Sequence, residues 1–372
     1  THGLPVEISI EKELGFTDKN AIEEYGIEPF NERCYQSVRR YEREWVRASE
    51  RLGFWLDYDN AYFTFTNKYV ESVWWILKQM FDKDLLFEGH KVLPYCPLCG
   101  TTHSSHEVAQ AYQDVKDPSV TVAFRVLPGQ ARMGHDFGDD SYLLAWTTTP
   151  WTLPSNMATC AHPDHAYVLV ESAAFPGRRY LLARDLANPV EELQSDNKVV
   201  DLRKQPVVAT FVGRDLEGLQ YEPLFGFTGT GSEAEGQRGA NWSLTVDDYV
   251  TLDSGSGIVH VAPAFGEDDH RVGKKYGLAM YCAMDLGGRF RDHSGPFAGL
   301  WFKDADPLVL DDLKRRGLLV RSQKYEHSYP HCWRHGTPLY YFATSSWFVR
   351  TTAMKDALIA GNQQIKWTPE HI

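Results

Sequence analysis

Between residues 31 and 53, Val38, Tyr41, Trp45, Ala48 and Leu52 recur at spacings of three and four, which places them on one helical face. Asn31 can cap the start of this helix and Gly53 can release its end. A second pattern of the same kind covers 67 to 83, with Val70, Val73, Trp74, Leu77 and Phe81 on one face. After Lys116 the texture changes. Short β-rich runs at Val120–Val126, Tyr142–Trp146, Tyr167–Val170, Pro206–Val212 and Gly257–Ala262 read as strands, separated by turn-forming Gly, Pro and Asp. The stretch Gly229–Gly239, rich in Gly, Ser, Glu and Gln, reads as a flexible surface loop. A helix over Asp306–Arg316 closes this region at Gly317, and from Trp347 onward the pattern is helical again. The simplest organisation is nested, an outer unit built from both ends and interrupted by a β-rich insertion.

Composition narrows the class. The 372 residues suffice for two or three domains, and 43% hydrophobic with 24% charged is the balance of a soluble globular protein. No run approaches the roughly 18 to 20 apolar residues that span a bilayer. Thr1 to Glu7 lacks the basic and apolar regions of a signal peptide, so a cytoplasmic location is expected, with no membrane partner. The net charge of −12 argues against a non-specific nucleic-acid binder, although a local basic patch can still hold a phosphate backbone. An opening on Thr1 without methionine, and a stop at Ile372 without a closing element, read as an excised piece.

Six cysteines are too few and too scattered for a disulfide framework. Cys96-Pro97-Leu98-Cys99-Gly100 has the form of a knuckle that turns two thiolates toward one ion, its glycine freeing the backbone so that amides can face the sulfurs. Far along the chain Cys332 and His335 repeat the spacing, and the four offer a Cys3His set suited to structural zinc. With four protein ligands no position is open for chemistry. His331 and His103 are substitute ligands by spacing, and a redox pair or plain buried cysteines are the bland readings.

Two further segments carry candidate chemistry. Trp146-Thr147-Thr148-Thr149-Pro150-Trp151-Thr152-Leu153-Pro154-Ser155-Asn156 follows a strand, and its two prolines are expected to hold it extended, hydroxyls toward a cleft or solvent. Such hydroxyls suit positioning a water and a ribose hydroxyl better than a covalent intermediate; the bland reading is a β-branched strand with a Pro turn. Gly257 to Asp269 reads as a buried strand bearing His260, then a loop, then a helix start with Glu267, Asp268 and Asp269. Those acids could simply cap the helix, and His260 could simply be a core histidine.

Taken together, these segments resemble the isoleucyl-tRNA synthetases, class I aminoacyl-tRNA synthetases, from one end of the chain to the other. Thr1 to Glu7 resembles the stretch after the first nucleotide-binding signature, and Ser345 to Val349 the return into that domain. Trp146–Asn156 and Gly257–Asp269 match the two segments of the family's editing site. Valyl and leucyl enzymes carry arginine where Thr149 stands, and the valyl type has Lys-Ile-Thr-Pro in place of Val-His-Val-Ala-Pro, which makes the isoleucyl likeness specific. The His-x-Gly-His and Lys-Met-Ser-Lys-Ser signatures are absent from the 372 residues, so ATP-driven activation is not expected of this stretch. Many family members also have a cysteine where His335 stands.

What the resemblance implies is an α/β fold. A β-rich, barrel-like editing domain at 118–324 would be inserted into a partial Rossmann catalytic domain at 1–92 and 345–372. A zinc-ribbon-like junction at 93–117 and 325–344 would join them. It further implies hydrolysis of valine from mischarged tRNA(Ile), whose 3′ end enters the cleft, in a protein expected to be monomeric. Asp269 would hold the valine ammonium; Thr147, Thr148, Thr149 and Asn156 would position the terminal adenosine and the water. His260 would exclude the longer isoleucine side chain. Trp146, Trp151, Thr152 and Trp347 would border the substrate. ATP and Mg2+ would serve only the longer protein's charging reaction. The rival readings are a zinc-containing RNA-binding module without turnover and the editing domain of a valyl enzyme.

Overall fold

The structure, a computed structural model, describes residues 3–16, 20–186, 190–193, 198–227, 241–253 and 255–369. The loop expected over 229–239 lies outside them. The chain divides into two compact units, His90–Thr344 and Thr1–Gly89 with Ser345–Ile372.

The larger unit is built on a nine-stranded mixed sheet. Its strands are β1 (Tyr112–Arg125), β2 (Ser141–Thr147), β3 (Ala158–Ala161), β4 (Ala166–Glu171), β5 (Arg179–Ala183), β6 (Val207–Val212), β7 (Ser243–Val246), β8 (Ile258–Val261) and β9 (Leu319–Pro330). The order is β6-β4-β5-β2-β8-β3-β7, with β1 joining β2 to β9. Every run read as a strand from its pattern is one. The continuous apolar runs of β2, β4 and β8 are nearly all buried, as strands covered on both faces must be. Strand β1 starts at Tyr112, not at the predicted Val120, because its first half is mostly exposed and is held by backbone pairing to β9 rather than by an apolar face.

One feature of the sheet places the functional cleft. Along one edge β2 is followed from Val120 to Arg125 by β1. Its other edge is shared: β5 pairs with Ser141–Leu143, and β8 takes over at Trp146. The sheet therefore opens where β2 ends, at Thr147. Fully buried Leu143, Leu181, Ile258, Phe297, Phe302 and Val309 fill the core beneath, each worth roughly 1.5–3 kcal/mol of burial.

Two helix expectations in this unit need correction. The segment after Thr149 is not extended: Pro150–Ser155 forms a 3-10 turn. Pro150 occupies its first position, where no N–H is needed, so a proline there starts a turn instead of forbidding one. The helix expected over 306–316 runs Phe302–Arg315, with Pro307 inside it. Burial of Phe302 in the core secures the turn ahead of the proline.

The second unit carries helices at Gly3–Leu14, Asn20–Tyr25, Ile27–Arg51, Asn67–Asp82 and Lys355–Asn362. Among its described residues it is otherwise extended only in the ends of the strands Leu86–Cys96 and Tyr340–Val349. The predicted helical pattern from Trp347 therefore begins later. The 27–51 helix starts ahead of Asn31, with Pro29 tolerated in its first turn, and Gly53 follows it at φ 79° as expected of a terminating glycine. Within this chain its apolar stripe is exposed: Trp45 is 72% exposed, and Trp74 on the 67–82 helix 67%. No helix among the described residues is long and apolar enough to cross a membrane.

Candidate active site

Strand β2 delivers Trp146 and Thr147 to the sheet opening. The chain then turns through Thr148 and Thr149 into the 3-10 turn, while β8 delivers His260 alongside. A helix at Glu267–Tyr276 begins directly after, its first turn holding Glu267, Asp268 and Asp269. Between them lies a cleft of about 300 Å³ lined by Trp146, Thr147, Thr148, Thr149, Trp151, Thr152, His260 and Asp269, with Phe265, Tyr329 and Tyr341 among its aromatic walls. Eight of the residues expected at the site thus meet in one place. Asn156 lies behind the cleft, buried, and touches it only through His260. Trp347 belongs to the other unit and is 62% exposed; it is not among the cleft's residues.

The threonines are tied to one another. The Thr149 amide donates to Thr147 Oγ1 at 3.1 Å, and the Thr147 and Thr149 hydroxyls lie 3.1 Å apart. Thr152 Oγ1 donates to the Thr149 carbonyl at 2.8 Å and stands 2.8 Å from His260 Nε2. On the ring's far side, Asn156 Nδ2 sits 3.2 Å from His260 Nδ1. Burial pushes the imidazole down to about 4, so the ring is neutral at neutral pH. With both nitrogens engaged and no charge, His260 is a fixed wall rather than a free base.

Asp269 differs. Its Oδ2 accepts the backbone N–H of Ala262 at 2.9 Å, outside its own helix, so it is more than a cap. Burial raises its carboxyl to about 7, with the neighbouring Asp268 charge adding to the rise and the Ala262 bond opposing it. Gly266 is packed against it: a Cβ there would lie 2.7 Å from Asp269 Cγ.

Two residues that shape the site had no local signal in the sequence. Asp306, 155 residues from its partner, accepts the Trp151 N–H at 2.8 Å and so anchors the 3-10 turn. Burial raises its carboxyl to about 7. Tyr221, fully buried, donates its hydroxyl to Asn156 Oδ1 at 2.7 Å. Both are brought in by the tertiary fold, which spacing cannot reveal.

The same unit holds the Cys/His cluster. The ligand atoms of Cys96, Cys99, Cys332 and His335 all lie within 4.8 Å of one another. Cys99 Sγ is 3.2 Å from His335 Nδ1 and 3.6 Å from Cys332 Sγ, near the roughly 3.5–3.8 Å edges of a tetrahedron with ~2.3 Å Zn–S and ~2.0 Å Zn–N bonds. Mutual hydrogen bonding among the thiols pulls Cys332 down while pushing Cys96 up, the pattern of a site that already favours a thiolate. The Cys99 amide faces Cys96 Sγ at 3.4 Å, as the knuckle reading requires. Neither substitute ligand joins the cluster. His331 Nδ1 donates to the Tyr329 carbonyl at 3.0 Å, and His103 Nε2 stands 3.3 Å behind Cys332 Sγ. The four residues fit a metal ion.

Known proteins resemble this chain along its whole length. The chain is 48% identical over its whole length to the isoleucine–tRNA ligase of Clostridium novyi, covering 33% of that protein. It is 47% identical to the isoleucine–tRNA ligase of Dehalococcoides mccartyi, again over the whole chain and 37% of the relative. The chain thus spans about a third of the length of these relatives. The solved editing domain of P. knowlesi cytosolic leucyl-tRNA synthetase matches 57% of this chain and 97% of its own, at 11% identity and a TM-score of 0.35, which is too distant to bear on the argument. The family model of tRNA synthetases class I (I, L, M and V) matches residues 1–372, and the chain belongs to that family.

Proposed function

We propose that this chain carries the proofreading centre of an isoleucine–tRNA ligase and hydrolyses the ester of valyl-tRNA(Ile). One observation carries the reading: the threonine-rich strand end and the His260–Asp269 segment, over a hundred residues apart, meet in one small cleft whose lining holds a single acid, Asp269. The chemical need is general. A missing methylene is worth only ~1–3 kcal/mol of discrimination, a limit of which the isoleucine–valine pair is itself the standard illustration, so a second sieve must remove the error.

In this mechanism the 3′ end of the tRNA enters the cleft. The valine ammonium meets Asp269 and, being positive, lowers its pKa, so that the carboxyl gives its proton to solvent and a charge-assisted bond fixes the aminoacyl group. Asp269 is a reader of the amino group rather than an acid catalyst. The Thr147, Thr148 and Thr149 hydroxyls hold the ribose hydroxyls and the attacking water in line with the ester carbonyl, and this positioning supplies the rate. His260, immobilised through both nitrogens, faces the side chain; its ring leaves room for valine and meets the extra methylene of isoleucine. Asn156 acts by holding that ring. Trp146, Trp151 and Thr152 border the terminal adenosine.

The Cys96, Cys99, Cys332 and His335 cluster is read as a closed structural zinc site, which would hold together the chain entering and leaving the sheet. We read 118–324 as a barrel-like editing domain, 93–117 with 325–344 as the junction, and 1–92 with 345–372 as part of a Rossmann catalytic domain. In the longer protein, a cytoplasmic monomer on this reading, charging of tRNA(Ile) with isoleucine would use ATP and Mg2+.

The test is deacylation by the 372-residue chain of valyl-tRNA(Ile) and isoleucyl-tRNA(Ile) side by side. Rapid loss of valine with isoleucine spared is expected. Equal rates on both substrates would refute the sieve, and binding without turnover would favour an RNA-binding module.

A further inference from the structure

We propose that Tyr221 is a positioning residue of the cleft: through Asn156 it fixes His260 with the ring proton on Nε2, so that the histidine offers the cleft side a donor and never a base. The argument runs from the groups that have no choice of role. The Ala158 carbonyl can only accept, and it lies 2.8 Å from the Asn156 side-chain amide, which must therefore present its Nδ2 there. That orientation turns Asn156 Oδ1 toward Tyr221, and the phenol at 2.7 Å donates to it. Full burial holds the phenol well above its ordinary range, so it keeps its proton at every working pH.

The same amide orientation aims Nδ2 at His260 Nδ1, 3.2 Å away, and a donor there leaves Nδ1 only the role of acceptor. The ring proton is then on Nε2, which donates to Thr152 Oγ1 at 2.8 Å. Thr152 passes its own hydrogen to the Thr149 carbonyl, again at 2.8 Å and again a group that can only accept. The hydrogen bonds thus run in one direction from Tyr221 through Asn156, His260 and Thr152 to the backbone of Thr149. One carbonyl near each end forces the direction. Tyr221 touches nothing in the cleft itself; it acts by satisfying Asn156 Oδ1, which would otherwise be a buried acceptor with no donor.

The rate consequence rests on the proofreading reading, but the tautomer does not, and the experiment separates them. The ring nitrogens of His260 are observed by 15N NMR on the substrate-free chain, assigned with His260→Gln. The wild-type spectrum should show protonated Nε2 and unprotonated Nδ1; the reverse tautomer would overturn the proposal without any variant. Tyr221→Phe keeps the ring that packs edge-on against Phe124 at 5.2 Å and removes only the donor. It should move the His260 signals toward exchange between the two tautomers. It should also lower kcat for valyl-tRNA(Ile) deacylation roughly tenfold with KM little changed, the scale of one unsatisfied buried acceptor. A variant with the wild-type spectrum and wild-type kcat would equally overturn it. If the wild-type chain deacylates neither substrate, the proofreading assignment fails while the spectra still decide the role of Tyr221.

Discussion

The cleft and the Cys/His cluster occupy the same unit and solve opposite problems. In the cluster, four ligand atoms converge within 4.8 Å, and their polar capacity is turned inward, toward a point that one ion would satisfy. In the cleft, nearly every polar side chain already has a partner in the protein: threonine to threonine, Thr152 to His260, His260 to Asn156, Asn156 to Tyr221. What is left open is one half-buried acid with a single backbone bond. A site that holds an ion keeps its donors unsatisfied until the ion comes. A site that discriminates between two side chains differing by a methylene must instead be rigid before the substrate comes, and internal satisfaction is how it is made rigid.

The largest effect that can test this contrast is removal of the ion from the cluster. Structural zinc contributes ~10–16 kcal/mol in small domains that depend on it wholly. Here the nine-stranded sheet has its own core, and the cluster's small core adds only Val108 and Leu339 to the three cysteines. Metal analysis should give one zinc per chain. Chelation, or Cys332→Ser, should cost several kcal/mol locally, read as faster hydrogen exchange over 94–104 and 330–339 while β2 and β8 stay protected. Far less than one zinc per chain would remove the metal from the account, and loss of protection throughout the sheet would show that the cleft depends on the cluster.

Next comes Asp269. Asp269→Ala should slow valyl-tRNA(Ile) deacylation by roughly a hundredfold or more, since it deletes one partner of a buried charge pair. An unchanged rate would end its role as the ammonium reader. Its titration has two opposite consequences. The folded carboxyl lies at about 7, above its ordinary value of 3.8, so the stability it contributes is full below pH 4 and is lost as pH rises through 7. Proofreading needs the carboxylate, so activity should rise with pH over the same range. His260 has the reverse linkage: its folded value of about 4 lies below 6.5, so its contribution is present above pH 6.5 and lost as pH falls through 4.

This contrast also explains what could be read from the sequence. The cluster was legible because a knuckle must have two ligands close in the chain, and Cys96 with Cys99 and Cys332 with His335 each carry that spacing. The strands β2, β4 and β8 were legible because burial on both faces writes an apolar run. The cleft was not legible from its residues alone: Thr147–Thr152 reads equally as a plain β-branched strand end, and only the family resemblance joined it to His260 and Asp269. Prolines at 150 and 154 read as holding the segment extended, but Pro150 at the first position of the turn starts it. Asp306 and Tyr221 left no mark at all, since a buried acid on a helix and a buried tyrosine look like any others until the fold brings Trp151 and Asn156 to them. The periodicity that places Trp45 and Trp74 on helical faces reports amphipathicity and not what covers them, and both are exposed.

A smaller effect is expected at Gly266, whose backbone at φ −118° suits any residue, so strain is not at issue. A Cβ there would sit 2.7 Å from Asp269 Cγ and 2.9 Å from its Oδ2, and the carboxylate that must yield is the one held by the Ala262 N–H. Gly266→Ala should therefore displace the reader while leaving the sheet intact. Deacylation should fall roughly tenfold, and the overpacking should lower stability by ~1–3 kcal/mol. A variant that lost stability and kept its rate would mean that Asp269 moves freely and that the cleft is not rigid.

The smallest effect belongs to Asp306, which holds the 3-10 turn by the Trp151 N–H. Asp306→Ala removes that acceptor, and loss of a capping bond costs ~1 kcal/mol. Part of the loss is returned, because the carboxyl that disappears is itself held at about 7 by burial. Asp306→Asn separates the two contributions: it keeps an oxygen for Trp151 and has no proton to lose. As pH rises from 4 to 7 the wild type should lose stability, because Asp306 ionises in the unfolded chain while the folded carboxyl stays protonated up to about 7, and the Asn variant should lose less. The measurement is the unfolding free energy of the two variants against pH, with deacylation alongside. If Asp306→Ala leaves both stability and rate untouched, the turn is fixed by the packing of Trp151 on Phe265, Phe302 and Tyr340 alone, and the rigidity of the cleft comes from its aromatic base rather than from its hydrogen bonds.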